Sequence, residues 1–178
     1  MEMKQWVEAL FETSEKKPFP ILSFPGIQLI GCSVGDLVRD GGLQALCMKT
    51  IADRYPTLAS VSLMDLSVEA EAFGAHAVFS EDEVPSITGV LLDSEEDVAQ
   101  LKIPSVGTAR TGEYVKAIAQ AVVMIQDRPV FAGVIGPFSL SARLMGMTET
   151  MYHAVDEPEM VEAVLEKATT FLLDYIRA

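Results

Sequence analysis

Histidine and cysteine are almost missing from this 178-residue chain: two of each occur, His76, His153, Cys32 and Cys47. No pair of them has the spacing of zinc ligands, so the sequence offers no metal-binding cluster of its own. Basic residues are scarce as well. Thirteen Lys and Arg stand against twenty-six Asp and Glu, for a formal net charge of −13 spread along the chain. That balance argues against nucleic acid and anionic membrane as partners. No apolar run is long enough for a signal peptide or a membrane span, and the N-terminus MEMKQWVEALFETSEKK is amphipathic and charged, so the expected compartment is the cytoplasm. Missing too are GxSxG, GxxxxGK and a dinucleotide fingerprint; Gly41 and Gly42 open a helix but follow no strand. The acidic run Glu81–Asp82–Glu83 lacks the alternation of a calcium loop and reads as a solvated turn.

What remains is an ordinary globular composition, 49% apolar and 22% charged, enough for one sizeable core and one domain over residues 1–178. Residues 3–15 carry Met3, Trp6, Val7, Leu10 and Phe11 at helical spacing, and Lys16, Lys17 and Pro18 stop that helix, so residues 1–17 form an N-terminal helical arm. FPILSF reads as a first strand. A helix over 41–54 turns Leu43, Leu46, Cys47, Thr50 and Ile51 inward, and LASVSLM is a second, buried strand. A short helix from Ser67 to Phe73 closes at Gly74. Residues of about 75–105 form an excursion, with two extended pieces around the acidic turn and a short helix from Ser94. A helix over 111–126 buries Tyr114, Ile118, Ala121, Val122 and Ile125, RPVFAGVIG is a third strand, and a helical segment breaks near Gly146. In the last helix Asp156 and Glu159 form a capping box, and Met160, Val164, Leu165, Ala168, Leu172 and Tyr175 face the core. Strands alternating with long helical segments imply a parallel α/β architecture.

In such folds chemistry gathers at the carboxyl ends of the strands. Asp65 ends the second strand, and an enclosed carboxylate there serves either as an acid, base or ligand acceptor or only as a turn cap. Ser139 and Arg143 follow the third strand; Arg143 suits a bidentate carboxylate or phosphate, or a plain surface ion pair. Phe24, at the end of the first strand, can supply only an apolar wall. Cys47 falls on an apolar helix face and reads as a small core residue.

The stretches MDLSVEAEAFGAHAVFSEDEVPSI, GVIGPFSLSARLMG and DEPEMVEAVLEKATTFLLDYIRA resemble, in order, segments of the cobalamin-dependent methyltransferases related to uroporphyrinogen decarboxylase. The resemblance covers nearly the whole chain. It implies a TIM-type (β/α)8 barrel, of which three or four strands would make this the N-terminal half, an aspartate matching Asp65 in the cleft, and a floor of Phe24, Met64 and Phe138 beside Ser139 and Arg143. It also implies a methyl group passed from the corrinoid (cobalamin) of a corrinoid protein to a zinc-bound small thiol, with the zinc ligands in a C-terminal half beyond this chain. The chain alone is then expected to be inactive, to be a truncated form, or to pair with a second copy or a complementary half. The arginine-rich segment of the decarboxylases has no counterpart in LSFPGIQLIGCSVG, and Arg143 stands where they carry tyrosine. That disfavours decarboxylation of a porphyrinogen with eight carboxylates. A porphyrin-pathway lyase and a non-catalytic corrinoid- or partner-binding half remain the alternatives.

Overall fold

The computed structural model describes residues 2–178. The chain opens with α1 (Met3–Glu12) and two single turns, α2 (Ile27–Ile30) and α3 (Val34–Leu37). Next come α4 (Gly41–Arg54), the short strand β1 (Ser60–Val61) and α5 (Val68–Ala72). A hairpin of β2 (His76–Val78) and β3 (Ser86–Thr88) leads to α6 (Glu95–Gln100) and α7 (Thr111–Met124). After β4 (Val130–Phe131) the chain is helical to its end through α8 (Pro137–Met145), α9 (Met147–Asp156) and α10 (Pro158–Arg177).

β1 and β4 pair in parallel, Ser60 opposite Val130 and Val61 opposite Phe131, with α7 returning the chain between them. The pairing runs past the strands, because the Ser62 hydroxyl accepts from the Gly133 amide at 2.8 Å. The expected first strand, FPILSF, is not one. Residues 18–24 run beside β1 and touch it through Leu58 N–H to the Pro18 carbonyl (2.8 Å) and Ser23 Oγ to the Ser62 carbonyl (3.3 Å). Pro18 and Pro20 bring no amide hydrogen, so a ladder cannot form there. Among the described residues β4 pairs on one side only.

The helices form for local reasons. Asp40 caps α4 by accepting from the Gly42 and Leu43 amides at 2.6 and 3.1 Å, and Ser94 caps α6 by accepting from the Asp97 amide at 3.2 Å. Gly74 ends the α5 turn with φ 103, where a side chain would be strained. Between α8 and α9 the break falls at Gly146, as expected. The capping box expected from Asp156 and Glu159 does not form. Asp156 ends α9, Glu157 stands at the N-cap without a side-chain bond, and Pro158 takes the first helical position, where its missing N–H costs nothing.

The main core joins α3, α4, α5, α8 and α10 around Leu37, Leu140, Leu144 and Phe171, all fully enclosed. Phe171 meets Phe73 edge-on at 5.3 Å and stacks on Tyr175 at 5.8 Å. A second cluster of Ala45, Met48, Ala52, Ala121 and Ile125 seals α4 against α7. This double contact corrects the expected faces. α4 buries Gln44, Ala45 and Met48 as well as Cys47 and Ile51, while Leu46 is 43% exposed; on α7, Val122 is 49% exposed. The N-terminal arm buries no residue, though Trp6 reaches Phe131 at 5.8 Å.

Candidate functional site

The turn between β1 and α5 carries Asp65 into the interior, where its side chain has no solvent exposure. Asp65 Oδ1 accepts from the Ser67 amide at 2.9 Å and from the Ser67 hydroxyl at 2.6 Å. Asp65 Oδ2 accepts from Tyr114 OH at 3.0 Å and from Arg110 Nη1. The carboxylate is thus both a turn cap and the anionic half of a buried ion pair, with four donors on its two oxygens.

Arg110 was not singled out in the sequence, and it organises the site. It donates through Nε to Glu71 at 2.6 Å, through Nη1 to Asp65 and through Nη2 to Ser67 Oγ at 2.8 Å. Its guanidinium also lies 4.8 Å from the centre of the Phe79 ring, which Arg39 approaches at 4.4 Å. Ala109, just before it, takes the left-handed conformation with φ 49, a strain of about 1–2 kcal/mol for a residue with a Cβ. The bonds that Arg110 makes offset that cost. Burial acts to lower the Arg110 pKa, but Asp65, Tyr114 and Glu71 outweigh it and hold the guanidinium charged. Tyr114 is pushed up, by burial first and then by Asp65, so its hydroxyl stays a donor.

One helical turn after Asp65, Glu69 is 3% exposed. Its Oε1 accepts from the Ile135 amide at 3.1 Å, while Oε2 is buried without a partner. Burial raises its pKa, and Asp65 adds to the rise; the Ile135 amide and Arg143 oppose it.

Beside this network, past the strand ends, opens a cavity of about 360 Å³ between the hairpin and the α8–α9 junction. Leu66, Ser67, Ser86, Ile87, Arg143 and Met147 are among its lining residues. Arg143 is the one charged side chain there, and its Nη1 donates to the Ser139 carbonyl at 3.2 Å. Ser67 therefore has one side on the buried ion pair and the other on the cavity. A second, mainly apolar cavity of about 390 Å³ lies along β4, between Ala132, Val134 and the helices bearing Tyr114 and Tyr175, so that Tyr114 joins it to the Asp65 network.

The structure brings Arg143 to the first cavity and puts Asp65 behind it, one residue away through Ser67. Ser139 is exposed on the first turn of α8, and Phe138 beside it is 45% exposed. Met64 is 37% exposed and lies against Gly133, and Phe24 packs on the main core. Phe24, Met64 and Phe138 do not line this cavity, so they form no common floor to it. Of the residues that sequence reasoning missed, Glu69 and Glu71 had a legible signal. Two carboxylates four and six residues after Asp65, on a short helix following a buried strand, require a cation or a proton from elsewhere in the chain.

No group of three or more His, Cys, Asp or Glu able to hold a metal ion exists among the described residues. His153 bonds Glu157 at 3.0 Å, and Cys47 donates to the Ser23 carbonyl at 3.4 Å. No described helix is long and apolar enough to cross a membrane.

A family model described as uroporphyrinogen decarboxylase (URO-D) matches residues 26–178. No curated protein matches the chain. Among solved structures, a methyltransferase from Methanosarcina mazei superposes with a TM-score of 0.80 at 19% identity, over 92% of this chain and 50% of that one. This chain thus spans half the length of that methyltransferase, and its fold is part of a TIM-type barrel, as expected from the sequence.

Proposed function

The chain belongs to the uroporphyrinogen decarboxylase family, and from that footing we propose that it serves methyl transfer, from a methylcorrinoid carried by a corrinoid protein to a small thiol. The observation that carries this reading is the count of cations at the cavity. Arg110 is consumed by Asp65, Glu71 and Ser67, which leaves Arg143 as the one cationic side chain on the lining. A porphyrinogen bearing eight carboxylates would bury most of them unpaired, at several kcal/mol each. A small acceptor with a single anionic group needs one guanidinium and fits a cavity of about 360 Å³.

In this reading the methylcorrinoid would supply the methyl group: an S–C bond would form at the thiol sulfur as the Co–C bond breaks, its electron pair staying with the corrinoid and the thiol proton passing to solvent. Arg143 holds an anionic group of the acceptor, and Ser67 forms part of the other wall with its hydroxyl committed to Asp65 and Arg110. Asp65 and Arg110 keep that serine in place. Zinc, which activates the thiol in the family's methyltransferase branch, finds no ligand set among the described residues, so no step is assigned to it here.

The test is an assay of the chain together with a complementary barrel half that supplies zinc ligands, using methylcobalamin, zinc and a panel of small anionic and neutral thiols. It is followed by loss of the methylcobalamin absorbance and by mass of the S-methyl product; the chain alone should be inactive. A parallel assay with uroporphyrinogen reads the porphyrins formed after oxidation. S-methylation that prefers anionic thiols, with an Arg143→Ala loss of about tenfold or more in kcat/KM for them alone, supports the proposal. Formation of coproporphyrinogen, or methyl transfer indifferent to Arg143, overturns it.

A further inference from the structure

Glu69 is not explained by the ion pair beside it. Its carboxyl comes from α5 and reaches the turn after β4, where Oε1 accepts from the Ile135 amide at 3.1 Å. Ile135 immediately precedes Gly136, the N-cap of α8, whose carbonyl accepts the first helical bond from Leu140 at 2.9 Å. The direction in which α8 leaves the strand, and with it the place of Arg143 on the cavity wall, is therefore set one residue downstream of this bond. A purely apolar contact would fix the packing of α5 on α8 without choosing a carboxyl. The second oxygen, buried and unpartnered, shows that the group was not placed for packing, since an unmet acceptor in the interior costs free energy.

We propose that Glu69 is a positioning residue: its carboxyl ties α5 to the β4–α8 turn and so sets Arg143 relative to Ser67 across the cavity. The inference concerns geometry and stands apart from the methyl-transfer reading. The charged and titratable groups facing Glu69 are Asp65 from the β1–α5 turn, Arg143 from α8 and Tyr175 from α10. Of these Arg143 alone favours its ionised form. Burial dominates and pushes the carboxyl pKa above the ordinary glutamate range. Ionisation at higher pH would strengthen the pull on Arg143 and loosen its hold on a bound anion.

The experiment compares wild type, Glu69→Gln and Glu69→Leu by amide hydrogen exchange and by the resonances of the Ile135 amide and the Arg143 Nε–H group. In Glu69→Leu the Ile135 amide should exchange about tenfold faster, the effect of one lost hydrogen bond. The Ser67 amide, held by Asp65, should keep its rate, and the Arg143 resonance should move. Glu69→Gln, which retains the acceptor, should restore all three. In wild type the Ile135 shift should follow a single titration, displaced above the ordinary glutamate range by burial, that Glu69→Gln lacks. Ser67 loosening as much as Ile135 would overturn the proposal in favour of a general packing role. So would a Gln variant as perturbed as Leu, an unmoved Arg143, or a wild-type Ile135 shift that is flat with pH. If Glu69→Leu fails to fold, the pH titration of wild type against Glu69→Gln decides the matter alone.

Discussion

Arg110 and Asp65, 45 residues apart in sequence, form an ion pair whose carboxylate has no solvent exposure and whose guanidinium side chain is 8% exposed. Their pairing clamps the start of α7 to the turn that follows β1. Removing one partner strands the other charge indoors, which is costlier than the net worth of the pair. Asp65→Ala should therefore lower stability by about 3–5 kcal/mol, measured by denaturant unfolding. Asp65→Asn, which keeps the acceptor for Ser67, should lose less. Equal losses for both would show that the ionic half of the contact is unimportant.

Tyr114 contributes the fourth donor to the same carboxylate, and its ring also borders the cavity along β4. Tyr114→Phe removes the hydroxyl and little else. A hydrogen bond to a charged acceptor is worth about 1.5–3 kcal/mol, and the loss should vanish in an Asp65→Ala background. A double-mutant cycle checks this, and additive losses would place the hydroxyl's partner elsewhere.

Much of this fold can be read from the chain, and the failures have physical causes. The elements with internal signals came out as expected: the helix from Ser94, the break at Gly146, and the hairpin around Glu81–Glu83. FPILSF misled because its apolar character suits a strand while Pro20, and Pro18 just before it, remove amides a ladder needs. Leu46 misled because α4 is pressed on two sides, by the main core and by α7, so no single stripe describes its buried arc. In the site, Asp65 was legible from its place at a strand end. Arg110 was not, since nothing in TARTGEY signals that its side chain turns back across 45 residues to meet that aspartate.

Phe171 is fully buried between Phe73 and Tyr175, where the last helix closes on α5. Truncation there opens a cavity that no neighbouring side chain is free to fill. Phe171→Ala should cost about 3–5 kcal/mol, whereas Leu173→Ala, at a position 48% exposed on the same helix, should cost well under 1 kcal/mol. Thermal or denaturant unfolding of both variants tests the assignment, and similar losses would mean that α10 is rotated on the core.

The two cysteines differ in surroundings, so they should differ in reactivity. Burial, with a smaller contribution from Cys32, pushes the Cys47 thiol up to about 11. At pH 8 only about one molecule in a thousand then carries the reactive thiolate. Cys32 is half-buried and raised to a lesser degree, by burial and then by Asp36. Iodoacetamide at pH 8 should label Cys32 at least about tenfold faster, with Cys47 modified only in denaturant. Peptide mapping by mass spectrometry reads both sites, and early labelling of Cys47 would contradict its burial against Gly26 and Ser23.

Glu69 gives stability a pH dependence opposite in sign to that of a carboxylate stabilised in ionised form. Its folded-state pKa is raised by burial, so between the unfolded value, about 4.3, and the raised one the native state binds a proton that the unfolded chain has released. Stability from this group is then greatest below the unfolded value and falls as pH rises to the folded one. Glu69→Gln has no proton to lose. Relative to wild type, its melting temperature should therefore climb as pH increases through that window and level off above it. Parallel melting curves for the two proteins across the range would mean that the carboxyl at position 69 is already ionised in the fold.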